Sequence, residues 1–231
     1  MTADDAQDER SPSRAPAVHT GLPQRTGRLE AFSDAVLAIV LTLLVLELLP
    51  DGARSPQELL EDWPTYVAYL TAFLTIGVVW LNHHEAVSRI RYADPIVLLL
   101  NLAVLLGASL VPWPTSLMSK ALQDGERADQ IAAMVVFALV AVLISVPWLG
   151  MDLYLARHPR LLQSADGAAW MRRHALTSTG TLLIAGVSVG VAFLSPLLSL
   201  LLYLPVFAAF IAARVIETRA GDARAAESRP T

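Results

Sequence analysis

An all-α integral membrane protein is the fold class this sequence predicts, and three observations predict it. Of the 231 residues, 55% are hydrophobic and only 16% charged, with a mean hydropathy of +0.51. That is too apolar for an ordinary soluble domain of this length. Apolar runs of roughly twenty residues, the length a helix needs to cross a bilayer, recur along the chain between Pro, Gly and charge clusters. The period-two alternation of a membrane barrel is missing, and the runs are too long for barrel strands.

Read in order, the runs predict six transmembrane helices at 30–49, 64–84, 94–112, 129–151, 174–194 and 197–214. The first is almost unbroken from Ala35, interrupted by Thr42 and Glu47 and stopped by Pro50. The second ends in the polar run Trp80-Leu81-Asn82-His83-His84-Glu85. Asp94-Pro95 opens the third, which carries Asn101 and is expected to end at Pro112-Trp113-Pro114. Pro147 in the fourth and Pro205 in the sixth are read as kinks that neighbouring helices compensate. The short link Leu194-Ser195-Pro196 makes helices five and six an antiparallel hairpin. Trp63, Trp113, Trp148 and Trp170 read as interfacial anchors. Gly77, Gly107, Gly186 and Gly190 read as points of close helix approach. Residues 1–27, acidic and Pro-containing, are expected to form a disordered cytoplasmic tail, and 215–231 a cytoplasmic C-terminal tail that continues the last helix briefly and then frays. The six-helix membrane domain is therefore 28–214, a single repeat.

The basic residues set the orientation. An even number of spans puts both termini on one side, and fourteen of the seventeen Lys and Arg residues then fall there, leaving Arg54, Lys120 and Arg127 opposite. The positive-inside rule makes that side cytoplasmic and the chain a multi-pass protein of the cell membrane. Nucleophile elbows, phosphate loops, dinucleotide fingerprints and the zinc-protease motif are all missing, so no enzyme is expected. With no cysteine, thiolate chemistry is excluded as well.

Two devices lie on the first helix. Ile39, Leu43 and Leu46 fall at i, i+4 and i+7 and share one face, with Thr42 about 60° to the side. Copies of such a face would build a hydrophobic constriction, although any Leu-rich membrane helix yields the same stripe. Asp34 lies about 140° from Ile39 and therefore needs partners from another helix. The candidates are Trp80, Asn82, His83 and His84, at the same membrane depth. His83 and His84 diverge by about 100°, so they do not chelate one ion, and no metal or cofactor is expected.

The motif Arg28-x-x-x-Phe32-Ser33-Asp34, followed by Ala38-Ile39-x-x-Thr42-Leu43-Leu44-x-Leu46-Glu47 and by Trp80-x-x-His83-His84 in helix two, resembles the transmembrane-protein-175 family of potassium channels in its prokaryotic, single-repeat form. The resemblance implies a homotetramer whose first helices line a central pore, with K+ as permeant ion. It makes Ile39 the main constriction, Leu43 and Leu46 further hydrophobic layers and Thr42 a polar layer. Arg28, Phe32, Ser33 and Asp34 would then hold the pore helix through Trp80 and either His83 or His84. The expected function is passive conduction of K+ and other monovalent cations, with weak to moderate selectivity over Na+. The alternative is a proton-coupled transporter using Asp34 and His83 or His84 as a relay.

Overall fold

The computed structural model describes residues 24–49, 55–164, 166–205, 207, 208 and 211. Strand β1, Gln24–Arg25, precedes helix α1, Gly27–Leu43, which tightens into a 3-10 turn over Leu44–Leu48. A short helix α2, Pro56–Glu61, carries a Ser55/Glu58 capping box and leads into α3, Trp63–Val87. Strand β2, Tyr92–Ala93, is followed by α4, Pro95–Ser109, and α5, Pro112–Asp124. Helices α6, Arg127–Arg157, α7, Gly167–Ala192, and α8, Pro196–Leu201, complete the described elements.

Five helical stretches among the described residues are long and apolar enough to cross a membrane: Gly27–Leu48, Trp63–Val87, Pro95–Gln123, Arg127–Arg157 and Gly167–Ala192. The expected sixth, 197–214, is represented by the shorter apolar stretch Pro196–Pro205, and much of its remainder lies outside the described residues. The expected tails fall mostly outside them as well. Gln24 and Arg25, expected in the disordered tail, instead pair antiparallel with Ala93 and Tyr92.

The third span does not end at Pro112-Trp113-Pro114. Those prolines occupy the first turn of α5, where a missing N–H costs nothing, so the helical path restarts and runs on to Gln123. Pro147 lies inside α6, whose helix continues through it to Arg157.

Helix α6 is the most buried span and packs against α7 and α4, while α3 packs against α5 and α1 against both α3 and α4. Lipid tails are as apolar as leucine, so such packing rests on close contact and polar bridges more than on water exclusion. Helices α4 and α6 approach closely at Gly107 of α4. A Cβ there would lie 2.8 Å from Ile144 Cγ1 and 3.0 Å from the Ile144 backbone nitrogen. Gly77, Gly186 and Gly190 have nothing within 4 Å of such a Cβ, so within one chain they are not points of close approach.

The α7–α8 hairpin is pinned by polar groups. Ser195 caps α8, Ser199 Oγ donates to the Ser188 carbonyl at 2.6 Å, and Ser188 Oγ meets the Tyr203 hydroxyl at 3.0 Å. At the opposite end of α7 the connecting segments zip together. The Arg91 amide donates to the Leu161 carbonyl and the Gln163 amide to the Arg89 carbonyl, flanking an Ile90–Leu162 bridge. With β1 on β2, these contacts make a small ladder joining the start of α1 to the α3–α4 and α6–α7 connections.

Candidate functional site

Helix α1 has two distinct faces. Leu29, Ser33, Leu37, Val40 and Leu44 are buried against α3 and α4, whereas Ile39, Leu43 and Leu46 are 57%, 43% and 54% exposed. Thr42 is exposed beside them, its hydroxyl donating back to the Ile39 carbonyl at 2.7 Å. The stripe is thus left uncovered by the rest of its own chain.

The polar residues of α1 divide between two sets of partners. Ser33, fully buried, accepts from Asn101 Nδ2 at 3.0 Å, and Asn101 Oδ1 sits 2.8 Å from His83 Nε2. With that oxygen as acceptor, Nε2 carries the ring proton, and His83 Nδ1 is left as a buried acceptor with no hydrogen-bond partner. Asp34, half-buried, accepts from Trp80 Nε1 at 3.0 Å. Glu30, one turn earlier, approaches the exposed His84 at 3.4 Å, and the Trp80 and His84 rings stack at 6.1 Å.

Both histidines therefore reach α1, at different depths of the interface. His83 reaches it through Asn101, a residue the sequence marks only as capable of bonding across helices. Phe32, 54% exposed, and Arg28 lie on the outside of the chain. Asn82 does not join this network. It projects from α3 about 100° away from His83, and its Oδ1 lies 3.3 Å from His174 Nε2.

His174 belongs to a second polar cluster that sequence reasoning missed. Its Nδ1 lies 2.9 Å from both carboxylate oxygens of the fully buried Asp152, and Ser178 Oγ donates to Asp152 Oδ2 at 2.9 Å. Trp148, expected at the membrane interface, is only 6% exposed and directs its indole nitrogen at His174 Nδ1, 3.4 Å away. Trp170 stacks on His174 at 4.7 Å and 12°, and the Arg89 guanidinium covers the other ring with its carbon 4.1 Å from the centroid. The signal was an Asp in one apolar run and a His in the next. Expected helix ends at 151 and 174 left both residues at the water boundary.

A bundle of helices long and apolar enough to cross a membrane, with a polar clasp holding the first of them, defines a multi-pass membrane protein. The comparisons supply the family. The profile described as endosomal/lysosomal potassium channel TMEM175 matches residues 28–112. A protein of Streptomyces collinus named a potassium channel is 38% identical over 183 residues, covering 76% of this chain and 86% of that protein. The chain belongs to this family, whose members are ion channels and not enzymes. The crystal structure of a lysosomal potassium-selective channel TMEM175 homolog from Chamaesiphon minutus superposes with a TM-score of 0.63 at 27% identity, covering 81% of this chain and 97% of that one. A Gallus gallus relative named an endosomal/lysosomal proton channel is 29% identical over 77% of this chain and 37% of its own length.

Proposed function

We propose that this chain is a potassium-permeable cation channel of the cell membrane, with both termini cytoplasmic, conducting passively through a pore lined by α1. One observation carries the reading: Ile39, Leu43 and Leu46 stay open along the helix whose opposite face is packed throughout. Four copies arranged about an axis would turn this stripe into stacked apolar rings, with Ile39 as the narrowest and Thr42 adding hydroxyls beside it. Such a pore closes by dewetting and opens when the helices move slightly apart. Branched alkyl rings offer no oxygen to replace hydration water, so selectivity for K+ over Na+ is weak to moderate.

In this reading the Ser33–Asn101–His83 and Asp34–Trp80 bonds position α1 and take no part in conduction. Proteoliposomes under a K+ gradient test the proposal, with K+ and Na+ compared. Ile39→Asn raises the flux several-fold or lowers the K+ preference. Unchanged conductance and selectivity in that variant would rule out Ile39 as the constriction.

Proton movement is the second reading. It is favoured by Trp80, which bonds Asp34 and stacks on His84, bringing two titratable groups to one edge of α1 and α3. A trapped pH dye in the same vesicles separates the two: a passive K+ channel dissipates the gradient without stoichiometric proton counterflow.

A further inference from the structure

His174 and Ser178, both bonded to Asp152, stand at one end of a half-enclosed cavity of about 90 Å³ lined by α3, α6, α7, Tyr203 and Phe207, with no residue of α1 in its wall. Its lining changes in character along its length. Asn82, His174 and Ser178 stand at the cytoplasmic end; at the far end Leu74 and Ala141 stand with Thr75 and Tyr203, whose hydroxyls are already bonded to the Thr71 carbonyl and to Ser188. Asn82 and Leu74 are eight residues apart on α3, which is about 12 Å of helix.

Two polar groups in this wall have no partner among the described residues. Ser145, 5% exposed, makes no hydrogen bond there, and the Asn82 amide uses its oxygen on His174 while its nitrogen is free. Both residues are more than nine-tenths buried, and the polar surface they keep is open to a ligand in the cavity. Asp152 and His174 already face one another at 2.9 Å, so the cavity offers an incoming head group hydrogen bonds and no unpaired charge.

We propose that this cavity is a binding site for an uncharged single-chain amphiphile, whose hydroxyl or carbonyl head bonds Asn82 and Ser145 and whose chain lies toward the bilayer midplane. The polarity gradient runs the same way as that of a lipid leaflet, head group outward and chain inward. The volume limits the enclosed part. A water needs about 10–15 Å³ of such space, so the cavity has room for several waters, or for a head group and its first few carbons, with the rest of the chain leaving by the open side.

The probe is octanol carrying a photoreactive diazirine, applied to the full chain in proteoliposomes, with adducts located by peptide mass spectrometry. Adducts are expected within 141–148 and 174–181, reduced by excess plain octanol and lost at least tenfold in Ser145→Leu. Thr181→Leu fills the cavity from the facing wall and must give the same loss should Ser145→Leu fail to elute as a folded protein. Adducts confined to outward-facing positions such as Leu183 and Val187, adducts insensitive to both variants, or none at all would overturn the proposal. The readout is covalent mass, so it does not depend on ion flux.

Discussion

Asn82 and His83 are neighbours in sequence, yet they bond to different parts of the bundle. The amide of Asn82 lies 3.3 Å from His174 on α7, and the imidazole of His83 lies 2.8 Å from Asn101 on α4. At this one depth α3 is held from two directions. Trp148 stands between the two sides, its ring 5.7 Å from that of His83 and 5.9 Å from that of His174. A disturbance of α6 or α7 at this level therefore bears on the residues that hold α1.

Asn101→Leu removes both bonds that join α1, α3 and α4, leaving the Ser33 hydroxyl and the His83 ring nitrogen buried without partners. Interhelical hydrogen bonds in membranes contribute about 0.6 kcal/mol on average and up to about 1.7. A loss of about 1–3 kcal/mol is expected, measured as the shift of the unfolding midpoint in detergent. A midpoint equal to the parent's would show that the network does not hold the helix.

Trp80→Phe keeps an aromatic ring, smaller than the indole, and deletes the single bond to Asp34. The cost is expected to be smaller than for Asn101→Leu. A double-mutant cycle with Asp34→Asn should show a coupling of about 0.5–1.5 kcal/mol, because the two side chains act on one another directly.

Gly107→Ala drives a methyl group into Ile144, whose backbone cannot retreat as a flexible side-chain end would. Overpacking of this kind costs about 1–3 kcal/mol. Gly77→Ala meets open space and gains helix propensity. Thermal melts of the two variants should therefore move in opposite directions.

Asp94 caps the N-terminus of α4. Burial works against its charge, but the Tyr154 hydroxyl at 2.6 Å and the amides of Val97 and Ile96 outweigh that and hold the carboxyl below its ordinary range. Because the folded value is the lower one, this stabilisation is complete above the ordinary carboxylate pKa. It is lost as pH falls through the depressed one. Tyr154→Phe should therefore be less stable than the parent at neutral pH, and the gap should close in strongly acidic buffer. A gap independent of pH would show that packing, and not the bond to the carboxylate, accounts for the difference.

What the sequence made legible follows from what repeats along a helix. The stripe of Ile39, Leu43 and Leu46 and the displacement of Asp34 from it are consequences of a 100° step, and the structure has both. The partnership of Asp34 with Trp80 was accessible because both sit at one membrane depth. Asn101 was noticed but not given its place between Ser33 and His83, since the pairing of α1 with α4 is a fact of packing and not of period. The prolines at 112 and 114 suggest a helix end, although the same residues are favourable in a first turn, and α5 uses them that way. Asp152 and His174 were hidden by helix ends drawn too short, and Gln24–Arg25 by a composition that says nothing of strand pairing across connections.

The network around α1 also bears on how the chain is made. Ser33 and Asn101 are 68 residues apart and Asp34 and Trp80 are 46 apart, so α1 has its polar groups unanswered until later helices have been made. Translation at about 5–20 residues per second leaves it waiting on the order of several seconds. During that interval its own leucines and valines must keep it in the bilayer, with a buried serine and a carboxylate still unpaired. The apolar residues of this helix thus serve twice: once as a nascent anchor, and afterwards as the open face of the finished protein.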